Sequence, residues 1–172
     1  MHFDLPIEQL VRRKDTPFQL GFAHQALGIL PLREEFRAMP TYKGLRVLGR
    51  NEDELTTPVE TLREVYGPAM DVHPPVVRLI EGPQVQEPIM HLRISLENRY
   101  LDEVKRALAG RGATPSEEYG RPSYSVLRYE APLADLLGLP RQLSDITAGT
   151  AKHWIVLSHY ALVTRDPGGR AA

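Results

Sequence analysis

Residues 87–112, EPIMHLRISLENRYLDEVKRALAGRG, change from one kind of element to another part-way along. The run IMHLRISLE at 89–97 reads as a strand. From Asn98 onward, Leu101, Val104 and Leu108 fall on one helical face, with Asn98 as the expected cap and Gly110 or Gly112 as the stop. Downstream, ATPSEEYGRPSYSVLRYEAP (113–132) reads as two strands around a turn at Gly120, Arg121 and Pro122. Pro132 then opens a short helix that Gly138 and Pro140 interrupt, and a second helical turn runs to Gly149. A closing strand is expected from Ala151 to Val163.

The order βαββαβ predicts an α+β fold in which an antiparallel sheet carries both helices on one face, the split β-α-β or ferredoxin-like sandwich. Upstream, TYKGLRVLGR (41–50) reads as a half-buried strand through Leu45 and Val47, closed by Gly49. In TTPVETLREVYG (56–67), Thr57 and Glu60 have capping-box spacing, Pro58 suits a first helical turn, and Val59, Leu62, Val65 and Tyr66 form an apolar stripe ending at Gly67. PPVVRLIEG (74–82) reads as a strand. The first thirty residues lack a clean period, although Phe22, Ala26, Ile29 and Leu30 can share a helical face. The Gly82-Pro83 pair marks the expected boundary, giving a first unit at 1–83, a second at 87–165 and a flexible tail at 166–172.

Composition narrows the function. With 172 residues, 42% hydrophobic, the chain can bury a core in one medium or two small domains. A formal net charge of −1 gives no whole-protein pull toward polyanions, so nucleic-acid contact requires a local patch. The absence of cysteine removes disulfides, thiol nucleophiles and thiolate metal sites. No long apolar run or signal-peptide pattern opens the sequence, so a cytoplasmic protein with no membrane contact is expected.

The second unit resembles the C-terminal domain, domain V, of elongation factor G and related translational GTPases. EPIM at 87–90 is similar to its opening strand, YLDEVKRAL at 100–108 to its first helix, and PLADLLGLPRQLSDITAGTAKHWIVLSHY at 132–160 to its last helix, glycine turn and strand. GRNEDELTTPVETLREVYGPAMDVHPPVVRLIE at 49–81 resembles the later half of the same family's domain III, sharing Gly49, Val59, Leu62, Pro75, Val77 and Glu81. It departs where the family has a Gly-Glu-Leu-His-Leu-Glu run and this chain has NEDELTTP, so the first unit reads as a partly degenerate domain III. No G-x-x-x-x-G-K-[ST] pattern occurs, and AGTAK at 148–152 lacks its first glycine and spacing, so no GTPase domain and no GTP hydrolysis are expected. The family's domain IV also has no room between Glu81 and Glu87, which makes the chain look like a reduced, stand-alone fragment of a translation factor.

Several side chains invite a catalytic or metal reading. His153 and His159, six apart in a strand, would share a face about 20 Å apart, too far for one metal. Ser144, Asp145 and Thr147 fit a cap and turn better than a nucleophile with its acid. Glu117 and Glu118 are adjacent and face opposite sides of a strand, so they cannot act as a paired acid and base. VRRK at 11–14 is the one tight basic run and reads as an exposed helix or loop face. Trp154 and Tyr160 could stack on a base, but packing against a neighbouring element is expected. An acylphosphatase-like hydrolase would need a glycine-rich cradle that SLENRYLDEV, with Asn98 and Arg99, does not offer.

The expected function is that of a non-enzymatic translation-factor-like module with no cofactor, metal or catalytic residue. By resemblance its partner is the ribosome, through large-subunit RNA and stalk-base proteins near the factor-binding region. Arg111, Arg121, Arg128 and Arg141 could converge on a phosphate-contacting patch, with Ser144 and the 144–149 turn beside it. The alternative is a protein-interaction or ligand-sensing regulatory domain that forms a homodimer through its sheets.

Overall fold

The computed structural model describes residues 3–31, 34 and 36–164; the tail expected at 166–172 lies outside them. The chain divides into two compact units, Met1–Arg78 and Leu79–Ala172.

The first unit runs β1 (Ile7–Arg13), α1 (Gln19–Ile29), β2 (Phe36–Thr41), β3 (Gly44–Gly49), α2 (Glu52–Tyr66), β4 (Met70–Val72) and β5 (Val76–Val77). Its antiparallel sheet has the order β2-β3-β1-β4, with β5 also on β1. Every element of the βαββαβ order is therefore present. Helix α1 buries Phe22, Ala23 and Ala26, while Leu20, Leu27 and Ile29 spread apolar surface around the rest of its perimeter. That spread blurs the period in sequence, and Ile29 is exposed rather than inward.

Four expectations need correction here. Helix α2 begins at Glu52 rather than at Pro58: the Asn51 side chain accepts the Glu54 N–H at 3.1 Å, and Pro58 sits buried inside the helix. The acidic residues 52–54 then occupy the first turn, where the helix dipole favours them. VRRK is not a helix or loop face but the end of β1 and its exit, with Val11 fully buried and Arg13 paired to Asp15 at 2.6 Å. PPVVRLIEG forms only a two-residue strand, Val76–Val77, and an isolated bridge from Ile80 to Gln86, and Pro74 and Pro75 lack the N–H groups that a longer ladder needs. Strand β3 is also more buried than half, since Leu48 on one parity is as enclosed as Leu45 and Val47 on the other.

The second unit runs β6 (Gln86–Glu97), α3 (Leu101–Gly110), β7 (Thr114–Gly120), β8 (Tyr124–Pro132), α4 (Leu133–Leu136), α5 (Leu139–Ile146) and β9 (Lys152–Leu162). Its order, β7-β8-β6-β9, repeats the topology of the first unit. Along β6, Pro88, Met90, Leu92, Ile94 and Leu96 point inward and His91 and Arg93 outward, the period-two pattern of a sheet with one covered face. Val104 and Leu108 of α3, Leu133 and Leu136 of α4, and Leu139 and Leu143 of α5 supply the helix side of this core. Both units are thus ferredoxin-like α+β sandwiches.

The β2–β3 hairpin turns through Tyr42 and Lys43, with the Thr41 hydroxyl donating to the Gly44 carbonyl at 2.7 Å. Gly44 has φ +138°, and a Cβ there would stand 2.4 Å from the Val11 carbonyl oxygen. Gly44→Ala is expected to lower the urea midpoint by an amount equivalent to about 1–3 kcal/mol. An unchanged midpoint would mean that the hairpin relaxes at no cost.

Candidate functional site

Gly138 takes the left-handed conformation, φ +79°, which lets the chain break the helix between α4 and α5 within a single residue. A break of this kind exposes helix-end carbonyls that need donors. Arg111, just past α3, supplies them: its guanidinium donates to the carbonyls of Asp135 at 2.9 Å and Leu137 at 2.8 Å, and to Gln142 Oε1 at 2.8 Å. Thr147, fully buried, closes the other end, donating to the Leu143 carbonyl at 2.7 Å and accepting the Ala151 N–H at 3.1 Å. Gly149, φ +77°, then donates its N–H to the Ser144 carbonyl at 2.9 Å. Thr147 and Gly149 thus carry the cap-and-turn role, leaving the Ser144 and Asp145 side chains exposed.

The five residues expected to converge on phosphate occupy three separate places. Arg141 and Ser144, three apart on α5, are exposed on one helix face at the corner that Arg111 holds. Arg111 itself is turned inward, its donors satisfied by that corner, and serves as scaffold. Arg121 lies in the β7–β8 turn, where its carbonyl and that of Pro122 accept from the Asn98 amide at 2.7 and 3.2 Å. Asn98 is therefore no helix cap: it braces this turn and accepts the Ser125 hydroxyl at 2.6 Å. Arg128 points out of the sheet on the side away from the helices, 3.5 Å from Glu117.

The remaining candidates sort by strand parity. Glu117 pairs with Arg128 on the open face and Glu118 with Lys105 of α3, at 2.5 Å, on the covered one, so the two do face opposite ways. The Lys105 ammonium is held above its ordinary pKa chiefly by the hydrogen bond to Glu118. His153 and His159 do not share a face. A β-bulge places Met90 opposite Leu157 but Ile89 opposite His159, so one extra residue reverses the parity between the two histidines. Among the described residues, no group of three or more His, Asp or Glu side chains could hold a metal ion. Trp154 corrects a further expectation: it is 47% exposed, on the open sheet face, rather than packed against an element. Its position was legible from Ile155, whose burial sends Trp154 and Val156 outward.

The model for the elongation factor G C-terminus matches residues 84–170, half of the chain and every strand and helix from β6 to β9. This chain belongs to the elongation factor G C-terminus family. Two curated relatives are the mitochondrial ribosome-releasing factor 2 of Danio rerio, 32% identical over 79 residues, and that of Bos taurus, 32% identical over 77. The aligned segments cover 46% and 45% of this chain, and it spans only 10% of either relative. A crystal structure from Thermus thermophilus superposes over 94% of this chain and 41% of its own with a TM-score of 0.67 at 14% identity. That likeness shows the fold. The matched segment takes in the Arg111 corner, Arg141 and the open sheet face alike.

Arg111→Met leaves two helix-end carbonyls without their donor and is expected to cost about 2–3 kcal/mol in urea denaturation, whereas Arg141→Ala should stay within about 0.5 kcal/mol. A neutral Arg111→Met would remove the scaffold role. On the sheet face, the Tyr119 hydroxyl donates to Glu117 at 2.9 Å, and this bond raises its pKa above the ordinary phenol value. Glu117→Gln is expected to bring the Tyr119 pKa down, read by NMR titration of the labelled ring.

Proposed function

We propose that the chain is a non-enzymatic translation-factor-like module that binds the ribosome near its factor-binding region and modulates translation there. The observation that carries this reading is the family match over residues 84–170, which takes in every strand and helix from β6 to β9. The curated relatives, which are ribosome-releasing factors, point the same way. The contact surface is the α4–α5 corner: Arg141 and Ser144 are exposed on a helix held rigid by Arg111 and Thr147, so a phosphate contact there needs no reordering of backbone. Arg121 and Arg128 would meet other parts of the partner, because the fold places them elsewhere. The absence of a phosphate-cradling motif from the sequence supports a role without nucleotide hydrolysis. No helix among the described residues is long and apolar enough to cross a membrane, and a cytoplasmic ribosome is the partner proposed.

Co-sedimentation with ribosomes and isolated large subunits across a salt series tests the proposal. Binding should weaken with salt, yield to full-length elongation factor G, and fall about tenfold in Arg141→Ala, as loss of a charge-assisted contact predicts. No binding even at low salt, or binding indifferent to the competing factor, would overturn it.

A further inference from the structure

The helices cover one face of the β7-β8-β6-β9 sheet; the other face is open, and it is not a neutral outer surface. Strand register sets Glu117 beside Arg128, Arg128 beside Arg93, and Arg93 beside Trp154, one row across all four strands. Two arginines directly opposite each other in an antiparallel pair repel, so this arrangement works against the sheet that displays it. Each guanidinium lies over an aromatic ring instead: Arg93 is 5.0 Å from the Trp154 ring centre, and Arg128 is 6.0 Å from that of Tyr119. Both rings are open to solvent, Trp154 at 47% and Tyr119 at 53%.

Ring, guanidinium, guanidinium and ring therefore follow one another across the sheet over about 14 Å, three strand spacings. Beside the two guanidiniums and Trp154 lies a concavity of about 520 Å³ lined in part by His91, Arg93, Glu117, Arg128, Trp154 and Val156; Tyr119 stands outside it. Of the carboxylates on this face, the two nearest the arginine row are engaged inside the sheet. Glu117 is met by Arg128 and by the Tyr119 hydroxyl, and Glu130 stands 3.4 Å from His91. Exposed Lys152, in the row next to Trp154, adds a further cation.

We infer that this open sheet face is a binding platform for single-stranded nucleic acid. A single strand offers planar bases separated by phosphates, and the face offers stacking rings separated by guanidiniums. Two or three nucleotides laid across the strands set bases on Trp154 and Tyr119 and a phosphate between Arg93 and Arg128. A duplex cannot do this, because its base faces are already stacked on one another. An acidic peptide without aromatic residues could satisfy the arginines but has no rings to stack on Trp154 and Tyr119. With two or three phosphate contacts and a near-neutral chain around them, binding is modest and salt-sensitive, the logarithm of affinity falling with that of salt with a slope of about −2. The site lies on the face away from Arg141, and of the residues proposed to meet the ribosome it shares only Arg128.

The sequence contains a single tryptophan, so the emission of Trp154 reports directly on stacking. The full chain is titrated with single-stranded RNA of about six nucleotides at low salt. Saturable quenching of Trp154 is expected, weakened at least about fivefold by Arg93→Gln and by Arg128→Gln. Trp154→Ala, followed by the anisotropy of labelled RNA, should lose at least as much. All these side chains are exposed, and circular dichroism confirms that each variant is folded. The inference is overturned by any of three results: no quenching at millimolar RNA, an equal response to duplex RNA or polyglutamate, or affinity untouched by both sheet-face arginine variants.

Discussion

Strand β6 divides the second unit into an apolar half and a polar half, because successive side chains of an extended chain point to opposite faces. Pro88, Met90, Leu92, Ile94 and Leu96 commit one face to the core, and the neighbours β8 and β9 inherit this parity through their register. Ser125, Leu127, Tyr129 and Ala131 follow on one side and Ile155 on the other. A slip of one residue would drive Arg93 into the core and Leu92 into water, so burial holds the register firmly. The helix layer can therefore cover only one face, and what stands on the other is fixed by the same constraint.

That layer is assembled from short pieces, and its joints are closed by side chains. The break at Gly138 leaves carbonyls that neither α4 nor α5 can satisfy internally, and the Arg111 guanidinium reaches them from the end of α3. The first unit solves a similar problem with an amide. Buried Gln19, opening α1, donates to the carbonyls of Arg13 and Thr16 at 2.8 and 2.7 Å and accepts the Arg13 N–H at 3.0 Å, tying the end of β1 to the helix that follows. In both places a long polar side chain serves backbone groups at a junction, where an unmet buried partner would cost about 1–3 kcal/mol.

Period and punctuation were the legible parts of the sequence. The strand at 89–97, the helix from Leu101, the turn around Gly120 and the break at Gly138 are all set by local chemistry, and the structure has each of them. What depends on contacts between distant residues was not legible. Asn98 looked like a cap because its neighbours suit a helix start, yet its amide faces a turn more than twenty positions away. Thr57 and Glu60 had capping-box spacing, but Asn51 and Glu54 compete for the same role one and a half turns earlier, and their geometry prevails. The arginines could be counted in the sequence without being placed: a guanidinium reads the same whether it scaffolds carbonyls, as Arg111 does, or stands in solvent, as Arg141 does. The bulge that separates His153 from His159 adds one residue of parity and leaves no mark in residue type.

Net charge is a poor guide to a surface built in this way. A formal charge of −1 over 172 residues describes the field far from the molecule, but screening limits what a partner feels to about 8–10 Å. Within that range the sheet gathers Arg93, Arg128 and Lys152 on three adjacent strands, while Glu118 is drawn to the helix side by Lys105. Parity thus separates two adjacent glutamates and sends one of them out of reach of the open face. The remaining pair, Glu117 and Arg128, is exposed enough that its attraction is worth at most about 1 kcal/mol. A competing anion can displace a contact that weak, so the carboxylate shields the arginine without closing it off.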